Sequence, residues 1–415
     1  MPPKKVAAVV TEYRKWSHAD VILRNLLYGY PDGTKPDLEL VSLYTDQVPK
    51  NDMSRDLAKK HGFKIYDSIA DCLTLGGKEL AVDGVLSIGE HGKYPENEKG
   101  QTLYPRRKFF EEITAVFEKS NKSVPVFNDK HLAMTWDDAK WMYDRSRKLM
   151  FPFLAGSSLP VTWRKPNLVL PRGCELTAAI QIAYGPFEAY GFHALEALQC
   201  MVERRAGGET GVKAVTCHCG SEITAAFEGR MWALGGPAGR YIRKEKMWEA
   251  FDKQPWAAGL LEAGLKLVPD HNPGEIRAVS ANAKDAGILE IEYRDGFRAF
   301  IVMPNGWINE GDGGAFVFAG QRKNVEKPDA CQFYLQQPDP FGHFAELTHA
   351  IESMIRTGHT PYPVERTLLT TGMLEAVMTS DHENGKRIET PQLNIKYTAS
   401  EYGPATREIP KIQKK

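Results

Sequence analysis

The sequence predicts an α/β protein in which a doubly wound parallel sheet is followed by an α/β domain with an open, largely antiparallel sheet. Over about the first 155 residues, short β-rich runs alternate with amphipathic segments, the rhythm of a parallel sheet with helices on its faces. After residue 160 the runs of strands become longer, which favours antiparallel pairing. The 415 residues exceed the roughly 250 to 300 at which a single core stops growing, so two domains are expected.

The first domain is predicted to span residues 1–158 and to be of the Rossmann type. Its strands are expected at residues 6–10, 38–44, 84–88, 124–127 and 151–155, and its helices at 17–27, 54–61, 108–120 and 136–148. The turn at residues 156–160, which contains serine and proline, is expected to lead into the second domain.

The second domain is predicted to span residues 159–400 and to mediate homo-oligomer formation. Its helices are expected at residues 189–205, 344–356 and 364–380, and its strands include 214–217, 289–293 and 297–303. Residues 401–415 are expected to form a polar, loosely held tail.

Composition and charge exclude several classes of function. The 53 basic and 53 acidic side chains cancel, so the chain has no long-range field that attracts nucleic acid or anionic lipid. The first residues lack the apolar region of a signal peptide, and no apolar run reaches the about 18 residues that span a membrane. We therefore expect a cytoplasmic protein with a small-molecule partner and without nucleic-acid or membrane binding.

The six cysteines show no spacing typical of a disulfide framework, which favours reduced thiols. Cys217, His218 and Cys219 suggest a metal site at first sight, but side chains alternate between the two faces of a strand. We interpret this run as a strand with small side chains and predict no metal ligands there.

The loop after the first strand occupies the position of a dinucleotide-binding loop without its glycines. Thr11, Tyr13 and Trp16 stand where three glycines normally let the backbone approach a pyrophosphate. Two interpretations stay open for Arg14 and Lys15, which precede the predicted helix cap Ser17. Either their side chains bind a pyrophosphate at the helix start, or they form an ordinary solvated turn.

Ionisable side chains accumulate where a doubly wound sheet gathers the ends of its strands. This set consists of Glu90, His91, Tyr94, Tyr104, Arg106, Arg107, Asp129, Lys130, His131 and Arg164. Imidazoles and carboxylates in such numbers indicate either a divalent metal such as Mn²⁺ or Zn²⁺, with His193 and Glu196 on one helix face as further ligands, or a polyhydroxy or anionic substrate. An arginine pair at 106 and 107 also suits bidentate binding of a carboxylate.

Four stretches of the chain resemble the glucose-fructose oxidoreductase / inositol dehydrogenase / MocA (Gfo/Idh/MocA) family. Residues 124–132 resemble its strand ending in Glu-Lys-Pro, with Lys130 matching and Asp129 and His131 replacing the flanking residues. Residues 189–196 resemble its Asp-x-Gly-x-His motif, with His193 matching and Ala189 in place of the aspartate. Residues 89–95 correspond to a loop over the nicotinamide ribose, and residues 344–391 resemble the closing pair of helices.

The resemblance implies hydride transfer between a secondary alcohol of a carbohydrate or polyol and NAD(P). His193 is then the general acid/base, and Lys130 orients and polarises the substrate oxygen. Asp46, which follows the second strand, favours NAD over NADP because it would repel a 2′-phosphate. The alternatives are a non-redox lyase or hydrolase on a sugar derivative, with or without a divalent metal, and a cofactor-free sugar-binding protein.

Two sets of residues complete these predictions. The residues predicted to bind the cofactor are Arg14, Lys15, Ser17, Asp46, Glu90 and His91. The residues predicted to bind the substrate are Tyr94, Arg106, Arg107, Asp129, Arg164 and Glu196.

Overall fold

A computed structural model describes residues 2–219, 245–280, 283, 285–337 and 339–412, which form two compact units. The first unit consists of Met1–Trp163, Leu335–Gly372 and Tyr397–Lys415. The second consists of Arg164–Tyr334 and Met373–Lys396. Each unit is described by itself below.

The first unit contains a parallel sheet whose strand order, in the described residues, is β3-β2-β1-β4-β5-β6. The strands are β1 (Lys4–Val10), β2 (Leu38–Thr45), β3 (Lys64–Tyr66), β4 (Gly84–Ile88), β5 (Val126–Asp129) and β6 (Phe153–Gly156). The helices between them are α1 (His18–Tyr28), α2 (Ser54–His61), α3 (Ile69–Thr74), α4 (Arg106–Lys119) and α5 (Trp136–Lys148). This is the predicted doubly wound sheet.

The strand order places a crevice at the carboxyl ends of β1 and β4. These two strands pair directly, although five elements (α1, β2, α2, β3 and α3) separate them in the chain. The direction of winding reverses between them, and ligands of open α/β sheets bind outside the carboxyl ends at such a switch point. The loops after β1, β4 and β5 therefore decide the chemistry of this unit.

Local sequence explains why these elements begin where they do. The last five residues of β1, Val6–Val10, are fully buried, as expected for a central parallel strand covered on both faces. Ser17 caps α1 by accepting a hydrogen bond from the Asp20 amide, and Thr135 caps α5 in the same way. The short β3 and α3 were absent from the sequence prediction, because three and six residues show too little periodicity.

The carboxyl-terminal part of the chain corrects the predicted boundary at residue 158. Helix α10 (Gly342–Thr357) belongs to the first unit, where Leu347 and Ile351 share one core cluster with Val6 and Leu86. The division between units also falls inside α11 (Glu365–His382). The prediction of one boundary between two continuous domains was wrong. The apolar face of α10 is buried against strands that precede it by about 300 residues, and the order of elements in the sequence does not reveal this contact.

The predicted loose tail is instead attached to the first unit through contacts of residues 405 to 410. The indole Nε1 of Trp163 donates to the carbonyl of Arg407 at 2.6 Å, and the Ala405 amide donates to the carbonyl of Val161 at 2.9 Å. The Arg407 guanidinium forms an ion pair with Glu346 at 2.7 Å. Backbone hydrogen bonds hold this polar segment although its composition offers little apolar surface.

The second unit is built on a mixed, mostly antiparallel sheet. In the described residues its order is β14-β9-β10-β11-β8-β12-β13-β7. The strands are β7 (Trp163–Lys165), β8 (Leu176–Ile182), β9 (Val212–Cys219), β10 (Gly287–Tyr293), β11 (Arg298–Met303), β12 (Phe316–Arg322), β13 (Asp329–Tyr334) and β14 (Ile388–Glu389). Strands β8 and β11 are parallel neighbours, whereas the pairs of β10 with β9 and β11 and of β12 with β8 and β13 are antiparallel. The predicted open, largely antiparallel sheet is confirmed.

Four helices accompany this sheet in the described residues. They are α6 (Phe187–Val202), α7 (Glu245–Asp252), α8 (Ala257–Leu265) and α9 (Ile276–Ser280). A core cluster joins side chains of α7 and α8, such as Phe251 and Leu260, to Ile180 and Phe300 of the strands. Across the described part of the chain, no helix combines the length and apolar character that crossing a membrane requires.

Candidate active site

The loops after β1, β4 and β5 each contain a residue in the left-handed backbone conformation. Trp16, His91 and Lys130 have φ angles of 64°, 70° and 60°. Residues other than glycine rarely adopt positive φ, and such strain persists where the surroundings hold it and often where function uses it. The three positions converge on the switch point of the sheet, which makes this edge the candidate active site.

A buried carboxylate connects two cations at this edge. Glu90 binds Lys130 through Oε1, with 2.9 Å to Nζ, and Arg106 through Oε2. Arg106 is fully buried and also contacts Nε2 of His131 at 2.6 Å. Burial alone would raise the pKa of Glu90, but Lys130 and Arg106 outweigh it and hold the pKa well below its usual value. Glu90 is therefore ionised, and the network fixes the ammonium of Lys130.

A second pair at the same edge joins a histidine to a buried aspartate. Nδ1 of His18, the first residue of α1, lies 2.6 Å from Oδ2 of Asp129 at the end of β5. The Asp129 side chain is 1% exposed, whereas that of His18 is 14% exposed. A carboxylate at Nδ1 fixes the tautomer and orientation of an imidazole and leaves Nε2 for proton transfer. This arrangement suits a general acid/base.

Two further histidines of the first unit flank His18 and remain neutral. The ring of His91 lies 5.2 Å from that of His18, and its Nδ1 accepts a hydrogen bond from the His18 amide at 3.4 Å. His343, on α10, packs against Phe344, whose ring also contacts His18. Burial, with a smaller contribution from His18, lowers the pKa of both His91 and His343 to about 3.

The buried neutral His343 predicts a pH dependence of stability. Its pKa of about 3 in the folded protein lies below the value of about 6.5 in an unfolded chain. Between these values the unfolded chain binds the extra proton, so the free energy of unfolding falls as the pH drops below about 6.5. We expect His343→Phe to make this fall shallower by about 1.4 kcal/mol per pH unit in urea titrations between pH 6 and 5.

The matched control for this prediction is His359→Phe, because His359 is exposed. This variant should keep the slope of the parent protein. Equal slopes for the parent and His343→Phe would show that His343 binds its proton equally well in the folded and unfolded chain.

The glycine-free loop after β1 fills space with side chains. Tyr13 is fully buried and belongs to the core cluster of the first unit. Thr11 is also buried, and its hydroxyl donates to the carbonyl of Glu90 at 2.6 Å. The Thr11 hydroxyl therefore ties the β1 loop to the β4 loop, and Tyr13 fills space in the core beside it.

The backbone amides at the start of α1 already have partners within the chain. The Trp16 amide donates to Oδ2 of Asp20 at 2.9 Å, and the His18 amide donates to His91. The Asp20 amide donates to Oγ of Ser17 at 3.4 Å. A dinucleotide needs these amides for its pyrophosphate. Ser17 thus acts as the helix cap, and the predicted anion cradle is occupied by side chains.

Asp46 is likewise engaged by the protein itself. Its Oδ1 accepts from the Tyr44 phenol at 3.0 Å, and its Oδ2 accepts from the Tyr94 phenol at 2.7 Å. Burial, with the hydrogen bond to Asp46 second, raises the pKa of Tyr94, and the same causes raise the pKa of Tyr44 to about 12. Both phenols therefore stay protonated and donate to the carboxylate that would hold an adenosine ribose.

The loop that carries Tyr94 is pinned over the β2 loop by a second pair of hydrogen bonds. The side-chain amide of Gln47 donates to the carbonyl of Lys93 at 2.9 Å and accepts from its amide at 3.0 Å. With the phenol on Asp46, these bonds close the crevice where adenosine binds in dinucleotide-binding sheets. The residues present do not fit a dinucleotide bound in that way.

The other predicted cofactor residues of the β1 loop bind within the loop. The guanidinium of Arg14 pairs with the buried Glu12 at 2.5 Å. Lys15 is exposed, and its ammonium lies 4.7 Å from the centre of the exposed Trp16 ring. These contacts match the alternative of an ordinary turn more closely than that of a pyrophosphate clamp.

Arg107 lies away from its neighbour Arg106. Its guanidinium stacks 3.2 Å from the ring centre of Trp141 on α5 and forms an ion pair with Glu111 at 2.9 Å. Consecutive helical residues point about 100° apart, so one arginine enters the network while the other lies between α4 and α5. The guanidiniums of Arg106 and Arg107 therefore do not face one shared carboxylate of a ligand.

Three predicted site residues belong to the second unit. Arg164 is part of β7 and not of the parallel sheet, so the expectation that it joins that edge was wrong; its guanidinium donates to the carbonyl of Leu168 at 2.9 Å. His193 lies on α6, with its ring 5.9 Å from Tyr190 and 6.2 Å from Phe316. Glu196 is on the same helix and is buried.

The strand-end histidines and acids do not assemble into a metal centre in the described residues. One edge of the sheet carries Glu90, His91, Asp129 and His131, but their ligand atoms do not form a group close enough to hold an ion. In the described residues such a group is found at Cys217, Cys219 and Asp381. The catalytic metal considered from the sequence therefore has no ligand set at this edge of the described chain.

Sequence reasoning missed His18, which has the most favourable geometry for acid/base chemistry. The available signal was its position directly after the loop that follows β1, at the first residue of a helix capped by Ser17. The sequence does not reveal its role, because its partner Asp129 lies 111 residues further along the chain. His343 was also missed, since only the tertiary fold brings α10 to this site.

Comparisons with known proteins are informative at the level of the fold. No protein-family model matches the chain, and neither does a curated protein. A probable dehydrogenase from Thermotoga maritima matches with a TM-score of 0.55 and 11% identity over 94% of this chain and 99% of its own. The scyllo-inositol dehydrogenase from Lactobacillus casei, solved with NAD(H) and scyllo-inositol, matches with a TM-score of 0.54 and 10% identity over 93% and 99%.

A further match is GenD2 from gentamicin A biosynthesis, solved with NAD, with a TM-score of 0.52 and 12% identity over 94% of this chain and 97% of its own. The chain has the fold of these dehydrogenases. The resemblance to the Gfo/Idh/MocA family is therefore supported at fold level, and identities of this size extend neither substrate nor cofactor to the chain.

Proposed function

We propose that the chain is an enzyme that acts on a carbohydrate or polyol derivative by acid–base chemistry, as a lyase, at the carboxyl edge of the parallel sheet. The observation that carries this proposal is the pair of His18 and Asp129, 2.6 Å apart, in loops whose dinucleotide-binding groups are engaged elsewhere. Carbohydrate as substrate class rests on the fold shared with inositol dehydrogenases.

The pair of His18 and Asp129 and the network around Glu90 have different roles in such a reaction. His18 takes a proton from the carbon next to a substrate carbonyl, and the electron pair moves to the carbonyl oxygen. The ammonium of Lys130 stabilises the negative charge on that oxygen. The enolate then expels the hydroxyl of the next carbon, and His18 returns its proton so that water leaves. No oxidant is consumed, so this step needs no nicotinamide.

Asp129 and Glu90 act as positioning residues in this proposal. Asp129 stabilises the imidazolium that forms when His18 takes the proton, as the aspartate of a catalytic triad does. One carboxylate oxygen of Glu90 binds Lys130 and the other binds Arg106. This network fixes the direction of the Lys130 ammonium group. Arg106 belongs to the framework of the site and does not itself touch the substrate.

A second candidate is the NAD-dependent oxidation of a polyol, favoured by the NAD-containing structures among the fold's neighbours. Lys130 would then orient the alcohol, with His193 as the acid/base. Binding of NAD in the usual crevice requires the Tyr94 phenol to leave Asp46 and the amides of Trp16 and His18 to exchange their present partners.

The experiment that separates the two candidates measures dinucleotide binding and turnover on the same protein. Purified protein is examined by absorbance and mass spectrometry for carried-over cofactor and is titrated calorimetrically with NAD and NADP. In parallel, keto-inositols, keto-sugars and aldonates are incubated with it in D₂O and followed by NMR for deuterium uptake and loss of water.

We expect no dinucleotide to copurify or to bind in the micromolar range, and we expect deuterium uptake by a substrate without NAD. Stoichiometric micromolar binding of NAD, together with turnover that requires NAD, would replace the lyase by the dehydrogenase. The matched variant Tyr94→Phe frees one oxygen of Asp46, and it should strengthen NAD binding if the closed crevice is the obstacle.

A further inference from the structure

Two cysteines and an aspartate meet inside the second unit. Cys217 and Cys219 are two residues apart at the end of β9, so their side chains point to the same face of the strand. Asp381 reaches them from the end of α11, and its Oδ1 lies 3.0 Å from Sγ of Cys219. One ligand atom from each residue lies within 4.8 Å of the others.

His218, which lies between the two cysteines, is not part of this cluster. His218 points to the opposite face, where its Nε2 lies 3.2 Å from Oε2 of Glu290. The alternation of side chains excludes His218 as a ligand beside its neighbours, but it brings the two sulfurs together. The third ligand, Asp381, lies 162 residues further along the chain than Cys219.

Backbone contacts hold the three groups in place. The Cys217 amide donates to Oγ of Ser380 at 2.8 Å, and that hydroxyl donates to the carbonyl of Lys386 at 2.6 Å. This links the end of β9 to the residue next to Asp381 and to the turn after α11. The ligand groups are therefore carried by a strand and a helix that are fastened to each other.

We propose that Cys217, Cys219 and Asp381 bind a zinc ion. Two thiolates and a carboxylate match the ligand preference of Zn²⁺, whereas calcium and magnesium prefer oxygen ligands alone. With Zn–S bonds of about 2.3 Å, two sulfurs of a tetrahedral site lie about 3.8 Å apart. The observed separations of at most 4.8 Å need only small side-chain rotations to reach this geometry.

Both thiols of the proposed site are shielded from solvent. Cys217 and Cys219 are 0% and 3% exposed. A divalent cation supplies the positive charge that turns two such buried thiols into thiolates.

A disulfide between the two cysteines fits this place less well than an ion. Residues i and i+2 of a strand are separated by about 6.6 Å, at the upper end of the range for Cα atoms of a disulfide. The structure contains both cysteines as free thiols. The described residues supply three ligands, and with water at the fourth position the site has the arrangement of zinc sites that bind or activate a small molecule.

The test uses the full chain, purified in reducing buffer, with Zn²⁺ and Co²⁺ as the probes. Metal content is measured by inductively coupled plasma mass spectrometry, and zinc affinity by competition with a chromophoric chelator. Thiolate-to-cobalt charge-transfer absorption reports directly on bonds from cysteine to the metal. The variants are Cys217→Ala, Cys219→Ala and Asp381→Asn, and the matched control is Cys331→Ala, which removes another buried cysteine of the same sheet.

We expect one zinc ion per chain, an affinity at least about 100-fold weaker in either cysteine variant, and unchanged binding in Cys331→Ala. Cobalt charge-transfer bands should appear in the parent protein and be lost when either Cys217 or Cys219 is replaced. If a cysteine variant does not fold, Asp381→Asn together with the cobalt spectrum of the parent decides the question.

Zinc affinity in the parent no tighter than in Cys217→Ala and Cys219→Ala, or a cobalt complex without sulfur charge transfer, would overturn the proposal. A Cys217–Cys219 disulfide that persists in reducing buffer would also overturn it, since its sulfurs are not available as thiolates.

Discussion

Replacement of His18 by alanine is expected to lower turnover of the proposed lyase reaction by about 10²- to 10⁴-fold, the range of a positioned acid/base. The imidazole is the proton carrier of the site, and Asp129 holds it at 2.6 Å with Nε2 left for the substrate. The measurement is the rate at which the substrate loses water, followed by NMR, with deuterium uptake in D₂O recorded in the same samples. Thermal unfolding of the variant is recorded in parallel to establish that it folds.

Asp129→Asn and an exposed histidine provide the controls for this prediction. Asp129→Asn removes the negative charge beside the imidazole and should lower turnover while changing the pH profile, because the imidazolium loses its counter-charge. His359→Ala alters an exposed histidine and should leave turnover unchanged. Full turnover by His18→Ala would exclude His18 as the acid/base of this enzyme.

Replacement of Glu90 by glutamine is expected to lower the free energy of unfolding by about 3 to 5 kcal/mol, because it leaves two buried cations without their counter-charge. The side chains of Arg106 and Lys130 are 0% and 5% exposed, and Glu90 pairs with both. Urea denaturation at neutral pH measures the change. Glu111→Gln, which removes an exposed i,i+4 partner of Arg107, should change it by less than about 1 kcal/mol.

A double-mutant cycle identifies the origin of this loss. Lys130→Met in the Glu90→Gln background removes one of the two uncompensated cations and should recover part of the lost stability. Additive losses from Glu90→Gln and Lys130→Met would contradict a direct interaction of the two side chains. Lys130→Met alone should also lower turnover, since the ammonium that stabilises the substrate oxygen is removed.

The sequence predicted those residues of the candidate site that lie at the ends of strands in the parallel sheet. Glu90, Arg106, Asp129 and Lys130 stand directly after predicted strands or at the start of the next helix, and parallel strands bring their carboxyl ends to one edge. The same reasoning placed Arg164 there wrongly, because residue 164 belongs to the second sheet. A strand in the sequence does not reveal the sheet in which it pairs.

The pairing of Asp46 illustrates a second limit. Its place after β2 was predictable, and an acid at that place suggested a ribose ligand. Its actual partners are the phenols of Tyr44 and Tyr94, and Tyr94 comes from a loop 48 residues later. The chemistry of a carboxylate depends on what faces it, which local sequence does not contain.

The periodicity of apolar and polar residues determined the order and type of the main elements, because the spacing of apolar side chains along a helix or a strand is a local property of the sequence. The tertiary structure decided which distant groups meet. It joined His18 to Asp129 across 111 residues, placed α10 in the core of the first unit and brought Asp381 to Cys219. Such pairings follow from sheet order and from the burial of apolar faces, which are properties of the whole chain.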